Sequence, residues 1–291
     1  QMFSGASVFN QNIGNWNTSN VTDMSQMFST ATAFNQDLSW NTGAVTNMSY
    51  MFSGASNFNG TISGFNTSQV TDMTFMFNEA SAFNKNISTW NTSNVTNMSY
   101  MFANNTGYNQ SLSSWDTSSV TNMQSMFSGA SSFDQNLGSW DVSQVSNFSD
   151  FAQGANISYT NYDAILDGWA SQNVQSGISI AFDNGLFCNA ASSRSFLILT
   201  KGWSIIDSGS PIGCPVPYVT NVTSPNADSS YTTGQSIDIE LTFNEVVDVI
   251  GGVPAIQLET GVTDASALYV SGSGTNTLLF RYTVAGGHTS S

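Results

Sequence analysis

Six positions of this 291-residue chain repeat an amide or a carboxylate at near-constant spacing: Asn17, Asn41, Asn66, Asn91, Asp116 and Asp141. Beside them run Asn15, Ser39, Gly64, Thr89, Ser114 and Ser139. Amides, carboxylates and hydroxyls supply both donors and acceptors, the chemistry that recognises sugar hydroxyls. The competing reading is a solvated face held by stacked amide ladders. Asp116 and Asp141 stand one repeat apart, and paired carboxylates raise glycoside hydrolysis or calcium binding. A glycosidase acts in a cleft, which a regular repeat face does not offer. Calcium takes about six to eight oxygen ligands. Asp228, Asp238, Glu240, Glu245 and Asp248 would supply several, but no EF-hand or Gly-Asp spacing accompanies them. No cofactor is therefore expected, calcium being the one candidate left open. A single His, His288, argues against a His-based triad or a multi-His metal site, so neither catalytic nor metal-binding residues are assigned. Sequons such as Asn20-Val21-Thr22 and Asn94-Val95-Thr96 arise in an Asn/Ser/Thr-rich repeat without selection for glycosylation.

The elements that must position these groups are set by an unusual composition. Only 8% of residues are charged, with 4 Lys+Arg against 19 Asp+Glu and a net charge of −15. Nucleic-acid binding and docking on anionic lipid both rest on clustered cations, so neither is expected. No apolar run reaches the ~20 residues that span a bilayer, so membrane insertion is not expected. The 40% hydrophobic content and 20 Phe are enough for a core.

An internal repeat organises that core. Met-Phe recurs at Met2, Met27, Met51, Met76, Met101 and Met126, with spacings of 25, 24, 25, 25 and 25. An aromatic recurs at Phe9, Phe34, Phe58, Phe83, Tyr108 and Phe133, and Trp or Phe at Trp16, Trp40, Phe65, Trp90, Trp115 and Trp140. Within one unit Val70, Met73, Met76, Phe77, Ala80 and Phe83 form a stripe that reads as helical, with Thr67 and Ser68 as N-cap candidates. The preceding Ile62, Phe65 and Thr67 fit the short strand of a leucine-rich repeat. The Met column reads as core packing rather than as a Met-rich binding groove. The expected fold is thus an α/β solenoid of leucine-rich-repeat-like units over 1–156, each unit needing its neighbour to bury its apolar face.

The unit Phe-Asn-Gln-x-Ile-x-x-Trp-Asn-Thr-Ser-x-Val-Thr-x-Met-x-x-Met-Phe resembles the repeat of BspA-like bacterial surface proteins, relatives of which occur in mycoplasma lipoproteins. That resemblance implies a secreted or cell-surface protein, often an adhesin. It implies no particular ligand.

Repeat character decays after Trp140. Helical patterns over Tyr162–Trp169 and Ser192–Leu199 alternate with strand-like Ile178–Phe182 and Gly202–Asp207. Residues 157–214 read as a C-terminal cap, similar to the segment that closes BspA-like arrays. Cys188 and Cys214 are the only cysteines. Buried free thiols are one reading; in a secreted-looking chain a structural disulfide is favoured.

Pro211, Pro215 and Pro217 mark a linker, after which the pattern turns to period two. Ile237, Ile239, Leu241 and Phe243 alternate with polar residues, as do Leu278, Phe280, Tyr282 and Val284. Residues 215–291 are expected to form an all-β Ig-like sandwich, similar to those of large bacterial surface proteins, and one that looks incomplete. Gln1 enters in mid-repeat, which suggests a segment of a longer protein or filament. The expected function is that of a non-enzymatic extracellular structural or adhesion protein on a bacterial cell surface. Its expected partners are a protein or glycan on another surface and neighbouring copies or domains of the same protein. The alternative is a glycan-binding module using the Asn/Asp face.

Overall fold

The computed structural model describes residues 1–210, 217–227, 229–247, 249, 253–258 and 264–286, without the Glu245 side chain. The chain divides into two compact units, Gln1–Cys214 and Pro215–Ser291.

In the first unit the repeats stack as rungs, but the helix and strand expected of each repeat do not form. The described helices are α1 (Tyr159–Ala170) and α2 (Ala191–Leu199), both beyond the repeats. The apolar stripe is instead a run of tight turns. In one rung the Met27, Ser29 and Ala31 amides donate back to the Met24, Gln26 and Phe28 carbonyls. The intervening amides of Met24, Gln26, Phe28 and Thr30 donate forward to Asn47, Ser49, Met51 and Ser53 of the next rung. This alternation requires left-handed backbone at two places per rung. One is occupied by Gln26, Tyr50, Phe75, Tyr100, Ser125 and Asp150, at φ 50–58°. The other holds Thr30, Gly54, Glu79, Asn104, Gly129 and Gly154, at φ 54–73°. A right-handed helix tolerates no such residue every fourth position, so the three-residue spacing comes from turns rather than from helical pitch. The expected strand is likewise replaced by single parallel bridges linking Asp23, Asn47, Asp72, Asn97, Asn122 and Asn147. The protein is mostly β, not an α/β solenoid of the leucine-rich type.

The core is a set of aromatic columns. Phe28, Phe52, Phe77, Phe102 and Phe127 are fully buried and stack at 5.5–5.7 Å. Each such ring contributes on the order of 1.5–3 kcal/mol by burial. The buried Trp indoles satisfy their N–H groups across rungs: Trp40 donates to Ile13, Trp115 to Ile87 and Trp140 to Leu112 carbonyls. Trp169 of α1 donates to Leu137 in the same way, so α1 occupies the place of the next rung. It can approach that closely because two glycines face each other. A Cβ on Gly168 would lie 2.1 Å from the Gly138 carbonyl oxygen. β1 (Ser179–Leu186) extends the parallel ladder through Phe148 and Ile180, and β2 (Ser204–Gly209) pairs with β1 in parallel.

Among its described residues the second unit forms an antiparallel sheet of five strands rather than the expected Ig-like sandwich. β3 (Val219–Thr223), β4 (Ser236–Val247), β5 (Ala255–Leu258), β6 (Ala265–Ser271) and β7 (Thr275–Thr283) lie in the order β3-β4-β7-β6-β5. Irregularities between Val219 and Asn221, Thr242 and Val247, and Tyr269 and Ser271 interrupt the register. Such irregularities bend strands, and the sheet curls into a half-barrel. Leu278, Phe280 and Tyr282 are buried on one face. Period-two alternation identifies strands with one apolar face but does not say whether a second sheet covers it.

Candidate functional site

The structure places Asn17, Asn41, Asn66, Asn91, Asp116 and Asp141 in one exposed column along the rungs. Each of them holds its own turn. Their Oδ1 atoms accept the amide N–H two residues on, from Ser19, Gly43, Ser68, Ser93, Ser118 and Ser143, at 2.9–3.1 Å. This is the Asx turn, in which the side chain mimics a backbone acceptor. The threonine that follows is buried and points the other way. Thr18, Thr42, Thr67, Thr92 and Thr117 donate their hydroxyls to the backbone carbonyls of Asn41, Asn66, Asn91, Asp116 and Asp141 on the next rung. The Asn-Thr pair thus closes a turn and joins two rungs.

Asp116 and Asp141 occupy neighbouring rungs but act separately. The Asp116 carboxylate accepts both the hydroxyl and the amide of Ser118, which holds its pKa below the usual carboxylate value. Asp141 is engaged by the Ser143 amide. Among the described residues no group of three or more His, Cys, Asp or Glu is placed to hold a metal. Of the five acids considered for calcium, Asp238 forms a two-pronged ion pair with Arg281 at 2.6 and 2.8 Å. Asp228, Asp248 and the Glu245 side chain lie outside the described residues, as do His288 and Cys214. The pairing of Cys188 with Cys214 therefore stays an expectation.

Three further sets of polar residues were not singled out from the sequence. Asn10, Asn35, Asn59, Asn84 and Asn109 form a ladder in which each Oδ1 accepts the backbone amide of the next member, ending on Asp134. The Phe-Asn pair at Phe9, Phe34, Phe58 and Phe83, continued as Tyr108-Asn109 and Phe133-Asp134, was the available signal. Asp163, buried beneath the start of α2, accepts the amides of Cys188, Asn189 and Ala190 through its two oxygens. Asp207 receives the Arg194 guanidinium at 2.7 and 2.9 Å and the Tyr162 hydroxyl at 2.7 Å. These last two clusters join residues far apart in sequence, so spacing alone could not reveal them.

A family model described as "Mycoplasma protein of unknown function, DUF285" matches residues 1–86 and 56–169. The chain belongs to that family. The matches cover the rungs and α1, so a DUF285 repeat corresponds to one rung with its Asx turn, Thr bond and aromatic core positions. No curated protein and no solved structure is significantly similar to the chain.

Proposed function

We propose that this DUF285 chain is a non-enzymatic structural and adhesive module of a bacterial cell surface. The observation that carries the reading is the use made of the polar columns. Side-chain oxygens that could have served chemistry hold turns, and threonine hydroxyls and asparagine amides tie one rung to the next. A wall built this way is regular, weakly charged and stiff along its length, which suits a spacer or contact surface. The resemblance of the repeat to BspA-like surface proteins favours the same location. The glycan-binding alternative keeps one point in its favour. The Asn17, Asn41, Asn66 and Asn91 side chains spend Oδ1 on their turns, while their Nδ2 groups lie on the exposed face with donors to offer.

The test is adhesion by the whole chain. Beads coated with it are measured for attachment to mucin, fibronectin and cultured epithelial cells, with soluble chain as competitor. Attachment no greater than that of albumin-coated beads would sink the proposal.

A further inference from the structure

In a repeat protein, departures from the repeat show where one rung is used differently from its sisters. Several departures converge on one side of the third and fourth complete rungs. Gln36, Gln110 and Gln135 each donate Nε2 to an Asn Oδ1 of the preceding rung, at 3.0, 3.0 and 2.7 Å. At the equivalent positions stand Gly60 and Lys85, and the inter-rung bond is given up. Gly60 has a packing reason: a Cβ there would meet the Gln36 carbonyl oxygen at 2.2 Å. Gly64 has none, since nothing lies within 4 Å of where its Cβ would stand. Its sisters are Asn15, Ser39, Thr89, Ser114 and Ser139, and the next position is Phe65 where the others carry Trp.

The result is a depression of about 290 Å³ lined by Thr61, Ser63, Lys85, Asn86 and Thr89. Lys85 is the sole Lys or Arg in residues 1–193. Among the described residues its amine makes no ion pair. The nearby Asp37 carboxylate accepts the Thr61 amide at 2.6 Å and the Thr61 hydroxyl, and Lys85 acts on it only through its charge. Asn86 Oδ1 accepts the Ser88 amide, which leaves its Nδ2 as a donor. The lining side chains end in hydroxyls, an amide and one cation, while the wall between those ends is mostly their own methyl and methylene carbon, a surface that the C–H face of a sugar ring can cover.

We propose that this depression binds an acidic sugar, the Lys85 ammonium pairing with the sugar carboxylate while Thr61, Ser63, Asn86 and Thr89 take its hydroxyls. The hydroxyl and amide lining selects a polyol, and the single cation selects one negative charge rather than a polyanion. A shallow site of this kind binds weakly, and many copies on one surface would supply avidity. It borders the Asn/Asp column, sharing Thr89 with the column beside it but none of the six Asn and Asp residues, and it is independent of the adhesive reading, which whole-chain adhesion tests by itself.

The experiment is titration calorimetry of the full chain with 3′-sialyllactose and galacturonic acid, each beside its neutral counterpart, lactose or galactose. Lys85→Gln installs the residue that makes the inter-rung bond in the sister rungs and should not lower the melting temperature, while Lys85→Arg keeps the charge. The expected result is binding of at least one acidic probe, about tenfold weaker or lost in Lys85→Gln and retained in Lys85→Arg. Binding of neither acidic probe, equal binding of the neutral sugars, or unchanged affinity in Lys85→Gln would each overturn the proposal.

Discussion

Asp134 and Ser158 mark the point where the asparagine ladder ends and the first helix begins. The Asp134 carboxylate accepts the Ser158 amide and its hydroxyl, each at 2.8 Å, and the Asn161 side-chain amide at 2.7 Å. Ser158 is the N-cap of α1, yet its hydroxyl makes no capping bond to its own helix. The negative charge that a helix start favours comes from the preceding rung. This explains why the ladder carries Asn at every rung but the last: an amide oxygen suffices for one backbone donor, and a carboxylate serves a helix start with three. Burial pushes the Asp134 pKa up, but the Ser158 amide, the Asn161 amide and the Ser158 hydroxyl together hold it below its ordinary value.

A depressed carboxylate stabilises the fold above its unfolded pKa, near 3.9, and that contribution is lost as pH falls through the lower folded value. Asp134→Asn should therefore lower stability by about 1 kcal/mol at neutral pH, the cost of losing a charged cap. It should also flatten the fall in stability below about pH 4. Urea unfolding of both proteins at pH 7 and pH 3 checks this; equal losses at both pH values would show that the charge plays no part.

Thr30 holds φ 57° at a position where four sister rungs carry Gly5, Gly54, Gly129 and Gly154. A β-branched residue is strained there, by roughly 1–2 kcal/mol relative to a residue without a Cβ. Thr30→Gly should stabilise by about 1 kcal/mol once the greater chain entropy of glycine is set against that relief. The reverse change should hurt. A Cβ at Gly129 would stand 2.3 Å from Asn104 Oδ1, so Gly129→Val should lower the melting temperature. Thermal unfolding followed by circular dichroism reads both.

These glycines also show what the sequence could and could not tell. The aromatic, Met and Val columns are legible because every rung buries the same positions, and Phe28, Val45 and Met51 are buried as their periodicity implies. The exposure of Asn17 and Asn41 follows from the same register. The local backbone was misread because apolar residues at steps of three suit a wide helical stripe as well as consecutive turns. The discriminating signal was present: Gly54 and Gly129 sit inside the supposed helix, each just after a Phe-Ser pair. The half-barrel was hidden for another reason. Ile237, Ile239 and Leu241 alternate equally well in a sandwich and in one curled sheet. The depression at Lys85 is visible only once the rungs are stacked and Thr61 and Ser63 are seen to lie beside Lys85 and Thr89.

Tyr108 replaces the Phe of the other rungs and is fully buried in the aromatic column, between Phe83 and Phe133. Among the described residues its hydroxyl has no hydrogen-bond partner, and burial pushes its pKa well above the ordinary tyrosine value. Tyr108→Phe removes an unpaired polar group and keeps the ring, so it should stabilise by about 1–3 kcal/mol. A lower urea midpoint for the variant would mean that the hydroxyl has a partner in solution.

Cys188 and Cys214 are expected to be joined. Closing a loop across 26 positions stabilises by roughly 3–4 kcal/mol in the chain-entropy model. Unreduced protein should resist iodoacetamide at both residues, and reduction should lower the unfolding midpoint. Mass spectrometry showing both thiols alkylated without reductant would rule the bond out.

Asp163 makes the sharpest case for a buried charge that organises structure. It lies on α1 at 7% exposure, and the backbone amides of Cys188, Asn189 and Ala190 converge on its two oxygens at 2.8–3.2 Å. Those amides lead into α2, whose N-cap Ala190 has no side chain able to accept a bond. α1 therefore supplies the acceptor that α2 lacks and fixes the turn between β1 and α2. Asp163→Asn keeps the shape but brings amide hydrogens toward backbone donors, and Asp163→Ala leaves those donors buried and unpaired. Each should cost about 2–4 kcal/mol, since every orphaned donor carries a desolvation penalty of about 1–3 kcal/mol that partial relaxation reduces. Hydrogen exchange separates this from a general loss of stability. The amides of 188–190 should lose protection first, ahead of the inter-rung amides of Phe52 and Phe77. Uniform loss across the unit would show that Asp163 supports the whole stack rather than this junction.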